Sequence, residues 1–269
     1  MAEGRGRDEQ RNSHVRRNNL GHKAAQIIAV IFLFGQVSAA QQKASDTERL
    51  LFDNANRERA ERRLPLLKWD EGLARAARRH AELMAEHDLL EHQLPGEADL
   101  ATRARGAGAS FSHITENIGV AVSADKFHEG WMHSPGHRAN ILDDVADSVG
   151  IAVVEGETEL YAVEDFARSV VPLSIGEQEK QVGEILVARG LRLISTGSDA
   201  RKSCVLEHDY EGEGKVKYVA HYETPDVSQL PDTLEKEIKS RRYKSAAVGA
   251  CTSRETSGFT RFRIVVLLY

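Results

Sequence analysis

Apolar residues recur at helical spacing in two stretches of the first half of the chain. Ser45 and Glu48 have the spacing of a capping box, so we expect a helix that begins there and ends near Arg62. A second helix is predicted to open at Asp70, because apolar residues then repeat every three or four positions and form one face. That face contains Leu73, Ala77, His80, Ala81 and Met84. His80 is interpreted as a core histidine, since its neighbours on the face are apolar.

The helical pattern dissolves over residues 88–113, and we interpret this segment as rich in loops. A third helix is predicted by Phe127 and Trp131, which lie one helical turn apart. The turn-forming residues 134–136 should end this helix, and His137 then follows at the start of a short helical turn.

Two strands are predicted after the third helix, over Ser148–Val154 and Leu160–Arg168. The short polar segment between them, residues 155–157, indicates a hairpin. Helices interleaved with strands predict a sheet that is covered by helices. We therefore expect one domain over residues 45–170.

The C-terminal part reads as a smaller α+β domain. Residues 171–181 are interpreted as a polar linker, and residues 182–269 as the second domain, which has no catalytic constellation, no repeat and no family that its residues indicate. One helix is predicted after Pro231, which suits the first turn of a helix. Strands are predicted at 184–187, 191–195, 204–207, 216–222, 243–251 and 259–268.

The N-terminus has the features of a signal peptide over residues 1–39. Six basic residues precede an uncharged run, and the small residues of Val37-Ser38-Ala39 offer a cleavage site. An uncleaved membrane anchor is the alternative, but the apolar centre covers only the 11 residues 24–34, whereas a spanning helix needs about 20. We expect a secreted or periplasmic protein that does not span the membrane after cleavage.

The charge of the chain narrows the choice of partner. The chain has a formal net charge of −5, and the predicted leader holds more basic than acidic residues, so its removal leaves a more acidic protein. Without a basic cluster that contains aromatic residues, nucleic acid is not an expected partner.

Cys204 and Cys251 are the two cysteines, and in an exported chain they predict one disulfide, with two buried thiols as the alternative.

The most informative motifs lie between the second helix and the strands. Glu116-Asn117-Ile118-Gly119 is followed by a Trp-x-x-Ser-Pro-Gly-His-Arg-x-Asn-Ile-Leu segment over residues 131–142, and His92 lies upstream. Together they resemble the CAP superfamily of cysteine-rich secretory, antigen 5 and pathogenesis-related 1 proteins, whose shared unit is the SCP domain. The resemblance implies a three-layer α-β-α sandwich, which the smaller α+β domain would follow.

The resemblance also implies a cleft in which His92, Glu116 and His137 converge. Two imidazoles and one carboxylate are the ligands of a catalytic zinc site, so these three residues are the candidate metal ligands and the candidate catalytic residues. Asn117 and Ser134 are expected to line the cleft. Family members often carry a glutamate where this chain has Ser134, which weakens a mechanism that needs a second carboxylate.

A purely structural role remains open for the same three residues, with Glu116 satisfied by hydrogen bonds inside the cleft. A nucleophilic site built on Ser134, His137 and Glu116 is disfavoured, because no oxyanion hole is visible. Binding is favoured over catalysis. We expect an extracellular or envelope binding module for a lipid, peptide or envelope ligand. The alternatives are a metal-dependent hydrolase, and a chain whose C-terminal domain is the targeting part and carries the first domain as its cargo.

Overall fold

Two four-stranded sheets with helices packed against them organise the computed structural model. The structure describes residues 45–194, 197–206, 216–254 and 256–269, which belong to one compact unit. The predicted signal peptide, residues 1–39, lies outside the described residues. Among the helices of the described ranges, none combines the length and the apolar composition that a membrane span requires.

The elements fall into two groups along the chain. The first group is α1 (Asp46–Glu61), β1 (Lys68–Trp69), α2 (Glu71–His87), α3 (Leu100–Gly106), β2 (Phe111–Ala121), α4 (Ala124–His133), α5 (Pro135–Ile141), β3 (Ser148–Glu155) and β4 (Leu160–Ser169). The second group is α6 (Ile175–Ala188), β5 (Arg192–Leu193), α7 (Gly197–Leu206), β6 (Tyr218–Thr224), α8 (Asp232–Lys239), β7 (Ser245–Cys251) and β8 (Phe262–Leu268).

The first sheet is the middle layer of an α-β-α sandwich, as predicted. Its strand order is β1-β3-β4-β2, with β1 parallel to β3 and the other pairs antiparallel. Helix α2 packs on one face, where Met84 meets Ile118 and Val163, and α1, α4 and α5 pack on the other. Helix α2 approaches β3 closely at Gly150. A Cβ at this position would lie 2.0 Å from the backbone nitrogen of Ala74.

The predicted helix starts follow from local hydrogen bonds. Ser45 N donates to Glu48 Oε2 at 2.7 Å and Glu48 N donates to Ser45 Oγ at 3.2 Å, which completes the capping box of α1. Leu73 N donates to Asp70 Oδ1 at 2.9 Å, so Asp70 caps α2. These bonds satisfy amide groups that a helix leaves free at its first turn.

The segment predicted to be rich in loops is more ordered than its pattern indicates. Residues 88–113 contain α3 and the start of β2. Strand β2 carries Glu116 on the face towards α2 and Asn117 on the opposite face, where an ordinary strand would bury apolar side chains on at least one side. The alternation that reveals a strand is therefore missing.

Three predictions for the C-terminal part are wrong in detail. Residues 184–187 lie within α6, and so does the 175–181 half of the predicted linker, because Ser174 and Glu177 form a second capping box. Residues 204–206 lie in α7, and residue 207 is outside the described residues. Short apolar runs such as these fit a helix and a strand equally well, and periodicity alone does not separate them.

The second group repeats the topology of the first. Without α3 and α5, both groups follow the order α-β-α-β-α-β-β. The second sheet has the order β5-β7-β8-β6, with β5 parallel to β7 and the other pairs antiparallel, which matches the first sheet strand for strand.

Equivalent contacts accompany the repeated topology. Glu48 pairs with Arg78 of α2 and accepts from a β3 amide, and Glu179 of α6 pairs with Arg201 of α7 and accepts from a β7 amide. Gly249 of β7 leaves no room for a Cβ against α7, as Gly150 of β3 does against α2.

The sheet registers identify the positions that correspond between the two groups. Gly150 and Glu116 both pair with Asp165, whereas Gly249 and His221 both pair with Val265. The second sheet therefore has a histidine in place of Glu116 and an aliphatic residue in place of Asp165.

The two cysteines form the predicted disulfide. Cys204 of α7 and Cys251 at the end of β7 are bonded, with their Cα atoms 6.0 Å apart, and the bond joins the helix to the sheet that it covers.

Candidate functional site

The candidate site is built around Glu116. Strand β2 directs this side chain towards α2 and α3, where it is only 3% exposed. His92, in the loop after α2, places Nδ1 2.8 Å from Glu116 Oε1, so the ring donates a hydrogen bond to the carboxylate. The His92 side chain is 61% exposed. A buried carboxylate thus bonds an imidazole that solvent reaches.

Arg103 is the third member of the group, and sequence reasoning missed it. Its Nη2 forms an ion pair with Glu116 Oε2, and its Nη1 donates to the carbonyl of His92 at 3.1 Å. Asp99 caps α3 and thereby helps to fix the helix that presents Arg103. Nothing in the sequence distinguishes Arg103 from Arg105, because the contact depends on which side of α3 faces the sheet.

His80 lies behind Glu116, in the interior. It is fully buried, and its Nδ1 lies 2.9 Å from both carboxylate oxygens of Glu97. Its Nε2 is 3.9 Å from Glu116 Oε2. His80 is therefore a buried, hydrogen-bonded histidine of α2, as its position on the apolar face indicated, but one that also adjoins the candidate site.

The hydrogen bonds and charges around Glu116 and His92 shift the pKa values of these two residues. Burial raises the pKa of Glu116, but the hydrogen bond from His92 and the charges of Arg103 and His80 outweigh burial, so the pKa lies below its usual value. The hydrogen bond to Glu116 raises the pKa of His92 despite partial burial. Glu116 is thus ionised, and His92 holds its proton to higher pH than a free histidine.

Two further acids lie beneath the site in β4. Asp165 pairs with Glu116 across the strands, and Glu164 pairs with Asn117; both acids are fully buried. Burial, with the nearby charge of Glu116, raises the pKa of Asp165 well above its usual value. Burial raises the pKa of Glu164 to about 8, although the hydrogen bond from Asn117 opposes the shift. One signal in the sequence could have identified Glu164 and Asp165, because two adjacent acids stand in the middle of an otherwise apolar strand.

His137 lies in α5, which packs on the face of the sheet opposite Glu116. Helix α5 is held to β2 by Asn117 Nδ2, which donates to the His137 carbonyl and to Glu164 Oε2, each at 3.2 Å. Asn140 Nδ2 donates to Asn117 Oδ1 at 2.9 Å and to the Glu116 carbonyl at 3.0 Å. Asn140 is a second contributor that sequence reasoning did not single out.

The His137 imidazole differs electrostatically from that of His92. Burial lowers the pKa of His137, and the charge of His92 lowers it further. Ser134 ends α4 and precedes α5, is half-buried, and makes no side-chain capping bond. The predicted role of Ser134 as a cleft-lining residue stays a prediction.

The residues predicted as metal ligands, His92, Glu116 and His137, do not present a donor set that fits a divalent cation. One carboxylate oxygen of Glu116 is engaged by His92 and the other by the guanidinium of Arg103, which repels a cation at the same oxygen. Across the described ranges, no three His, Cys, Asp or Glu side chains are grouped so that they could hold a metal ion. The zinc site stays a prediction from the resemblance.

Comparison with known proteins places the first sheet and its helices in a family. Residues 52–166 match the model of the cysteine-rich secretory protein family, CAP. The "uncharacterized protein YkwD" of Bacillus subtilis strain 168 is 29% identical over 119 residues, which are 44% of this chain and 46% of that protein. The "uncharacterized membrane protein YlbC" of the same strain is 30% identical over 108 residues, 40% of this chain and 31% of that protein. The chain thus spans less than half of either relative.

Several solved structures are similar to part of the chain, including two from bacteria. An extracellular protein with an SCP domain from Bacillus anthracis is 29% identical, with a TM-score of 0.42 over 46% of this chain and 40% of that one. An outer surface protein of Borrelia burgdorferi is 18% identical, with a TM-score of 0.44 over 46% of this chain and 94% of that one. The part of the chain that covers residues 52–166 belongs to the CAP family, as the match to the family model shows.

Proposed function

We propose that the CAP part of this chain is an extracellular binding module whose cleft recognises an anionic group of its ligand. The observation that carries the proposal is the exposed imidazole of His92, which is held by the buried Glu116 and backed by Arg103. A fixed, solvent-reachable side chain on a buried polar support is suited to contact a ligand, because it loses little freedom on binding.

The charge of the cleft indicates the chemistry of the ligand. Arg103 neutralises Glu116, and the raised pKa of His92 adds positive charge at the rim near and below neutral pH. A carboxylate or phosphate group would accept a charge-assisted hydrogen bond from the outward nitrogen of protonated His92. Peptides, lipids and envelope polymers all offer such groups.

An extracellular location is supported by three features. The leader predicted over residues 1–39 is one, and the disulfide between Cys204 and Cys251 is another, because disulfides persist in oxidising compartments. The SCP-domain protein of Bacillus anthracis is described as extracellular.

The test is a titration of the protein with acetate and with inorganic phosphate at pH 5.5 and pH 8. The readout is the chemical shift of the amide resonances in the NMR spectrum. We expect shifts around His92 that weaken at pH 8 and disappear in His92→Ala. His113→Ala is the matched control, because His113 is also a partly exposed histidine bonded to a carboxylate, that of Asp143 at 2.6 Å. Identical shifts in both variants would contradict the proposal.

A second candidate is hydrolysis, which one specific observation favours. The pKa of His92 is raised while that of His137 is lowered, and two groups shifted apart in this way can act as acid and base. In this reading His137 accepts a proton from water and His92 donates one to the leaving group. The substrate is a peptide or envelope polymer, the same class as for the metal-dependent hydrolase that the sequence left open.

The experiment for hydrolysis is turnover of a peptide library with and without a chelator. Activity that survives chelation and is lost in His137→Gln would support acid-base hydrolysis by the two histidines. Activity that the chelator abolishes would instead support the metal-dependent form. No turnover under either condition would leave the binding module as the function.

A further inference from the structure

We propose that the C-terminal part of the chain acts as a brace that positions Arg103 in the CAP cleft. The brace is the segment 258–260, which lies in the connection between β7 and β8 and contacts α3 and β2. The inference goes beyond the proposed function, because it concerns the geometry of the cleft and not the ligand.

The first contact of the brace is with the edge of the CAP sheet. Strand β2 is the last strand in the order β1-β3-β4-β2, so it has one free edge. Thr260 N donates to the carbonyl of Phe111 at 2.7 Å, and Phe111 N donates to Thr260 Oγ1 at 3.1 Å. Both backbone groups of the first residue of β2 are thereby satisfied from the C-terminal part.

The second contact is apolar. The rings of Phe259 and Phe111 meet edge to face, with centroids 5.6 Å apart and planes at 76°. Phe259 packs on the buried cluster that includes Ala101 and Ala104 of α3 and Leu73 of α2. An edge-to-face pair contributes about 0.5–1.5 kcal/mol beyond the area that it buries.

The third contact is between the backbone of the brace and the backbone of α3, and it explains why position 258 is a glycine. Gly258 has φ +92°, and a Cβ at this position would lie 2.5 Å from the carbonyl carbon of Ala101 and 2.9 Å from the nitrogen of Thr102. Those atoms belong to the turn of α3 that carries Arg103. Any side chain at position 258 would push α3 away from the brace.

Helix α3 depends on such support. It spans seven residues, which is too short to be stable as an isolated helix in water, so its position is set by packing. Its packing partners are the cluster with Phe111 and the brace. Displacement of α3 would withdraw Arg103 from Glu116 and from the His92 carbonyl, and would thereby change the cleft.

The repeated topology agrees with a supporting role. The C-terminal sheet keeps the strand order of the CAP sheet, but His221 and Val265 occupy the positions of Glu116 and Asp165. The second group therefore retains the fold without the acidic residues of the cleft, and contributes through the contacts of its β7–β8 connection.

The experiment compares Gly258→Ala with Gly190→Ala in the full chain without added ligand. Gly190 has φ +89°, so alanine brings the same backbone strain, but no described heavy atom lies within 4 Å of its Cβ position. We expect Gly258→Ala to move the Arg103 Nε–H resonance in the NMR spectrum and to speed hydrogen exchange of the α3 amides roughly tenfold relative to those of α2. Gly190→Ala should change neither.

Thr260→Val keeps the proposal testable if Gly258→Ala does not fold. It removes the acceptor for Phe111 N and keeps the size of the side chain, and it should produce the same changes in smaller measure. A folded Gly258→Ala or Thr260→Val protein with the Arg103 signal and α3 exchange of the wild type would overturn the proposal. Because no ligand is present, failure of the anion-binding function would leave these results unchanged.

Discussion

The buried carboxyl of Glu164 should make the stability of this protein fall as the pH rises. Glu164 has no exposed surface, its Oε2 accepts a 3.2 Å hydrogen bond from Asn117, and its Oε1 has no partner among the described residues. Burial raises its pKa from 4.5 to about 8. Between these values the folded protein keeps a proton that the unfolded chain releases, so ionisation favours unfolding.

The size of the effect follows from the shift. Because one pKa unit corresponds to about 1.4 kcal/mol, the penalty on folding is about 1 kcal/mol at pH 5 and about 3 kcal/mol at pH 7. Glu164→Gln removes the ionisable proton and preserves the shape, and its amide oxygen can accept the bond from Asn117. We expect the variant to gain about 2 kcal/mol more relative to the wild type at pH 7 than at pH 5.

The assay is urea unfolding of both proteins at the two pH values. Glu157→Gln is the control, because it removes a negative charge from an exposed position in the same hairpin. The control should change stability little, and equally at both pH values. A difference between Glu164→Gln and wild type that is the same at pH 5 and pH 7 would refute the reasoning.

Three further changes test the scaffold of the fold. Arg59 is fully buried and donates to four backbone carbonyls, so Arg59→Met should destabilise by about 3–5 kcal/mol in urea unfolding, and an unchanged midpoint would contradict this role. Replacement of Cys204 and Cys251 by alanine should cost about 4 kcal/mol by the loop-closure model, and reduction of the wild type should reproduce the loss; equal stability would count against it. Gly150→Ala forces α2 away from the sheet and should lower the thermal midpoint by more than about 5 °C for a loss of about 2 kcal/mol, whereas Gly130→Ala, with open space, should not.

Local signals in the sequence were sufficient for much of the CAP part. The capping box at Ser45 and the apolar face of α2 depend on residues within one or two turns, so the pattern determines them before any tertiary contact forms. The strands β3 and β4 were likewise predicted, because most of their buried positions are apolar. The motifs around Glu116 and His137 indicated the resemblance to the CAP family.

The same signals failed for a strand with inward-facing polar residues and for a helix that contains an apolar run. Strand β2 was not recognised, because Glu116 and Asn117 face inward where the pattern of a strand needs apolar residues. Helix α6 was divided between a linker and a strand, because Ile185-Leu186-Val187 suits either structure.

The sequence by itself determined which segments are helical by capping and periodicity, which two cysteines are available to pair, and which family the motifs indicate. Only the tertiary structure decided that Arg103 meets Glu116, that α3 rests on Gly258, and that the second sheet repeats the first. The physical reason is that these contacts depend on strand register and helix orientation. Phe111 and Thr260, for example, are 149 residues apart, and no local pattern records their pairing.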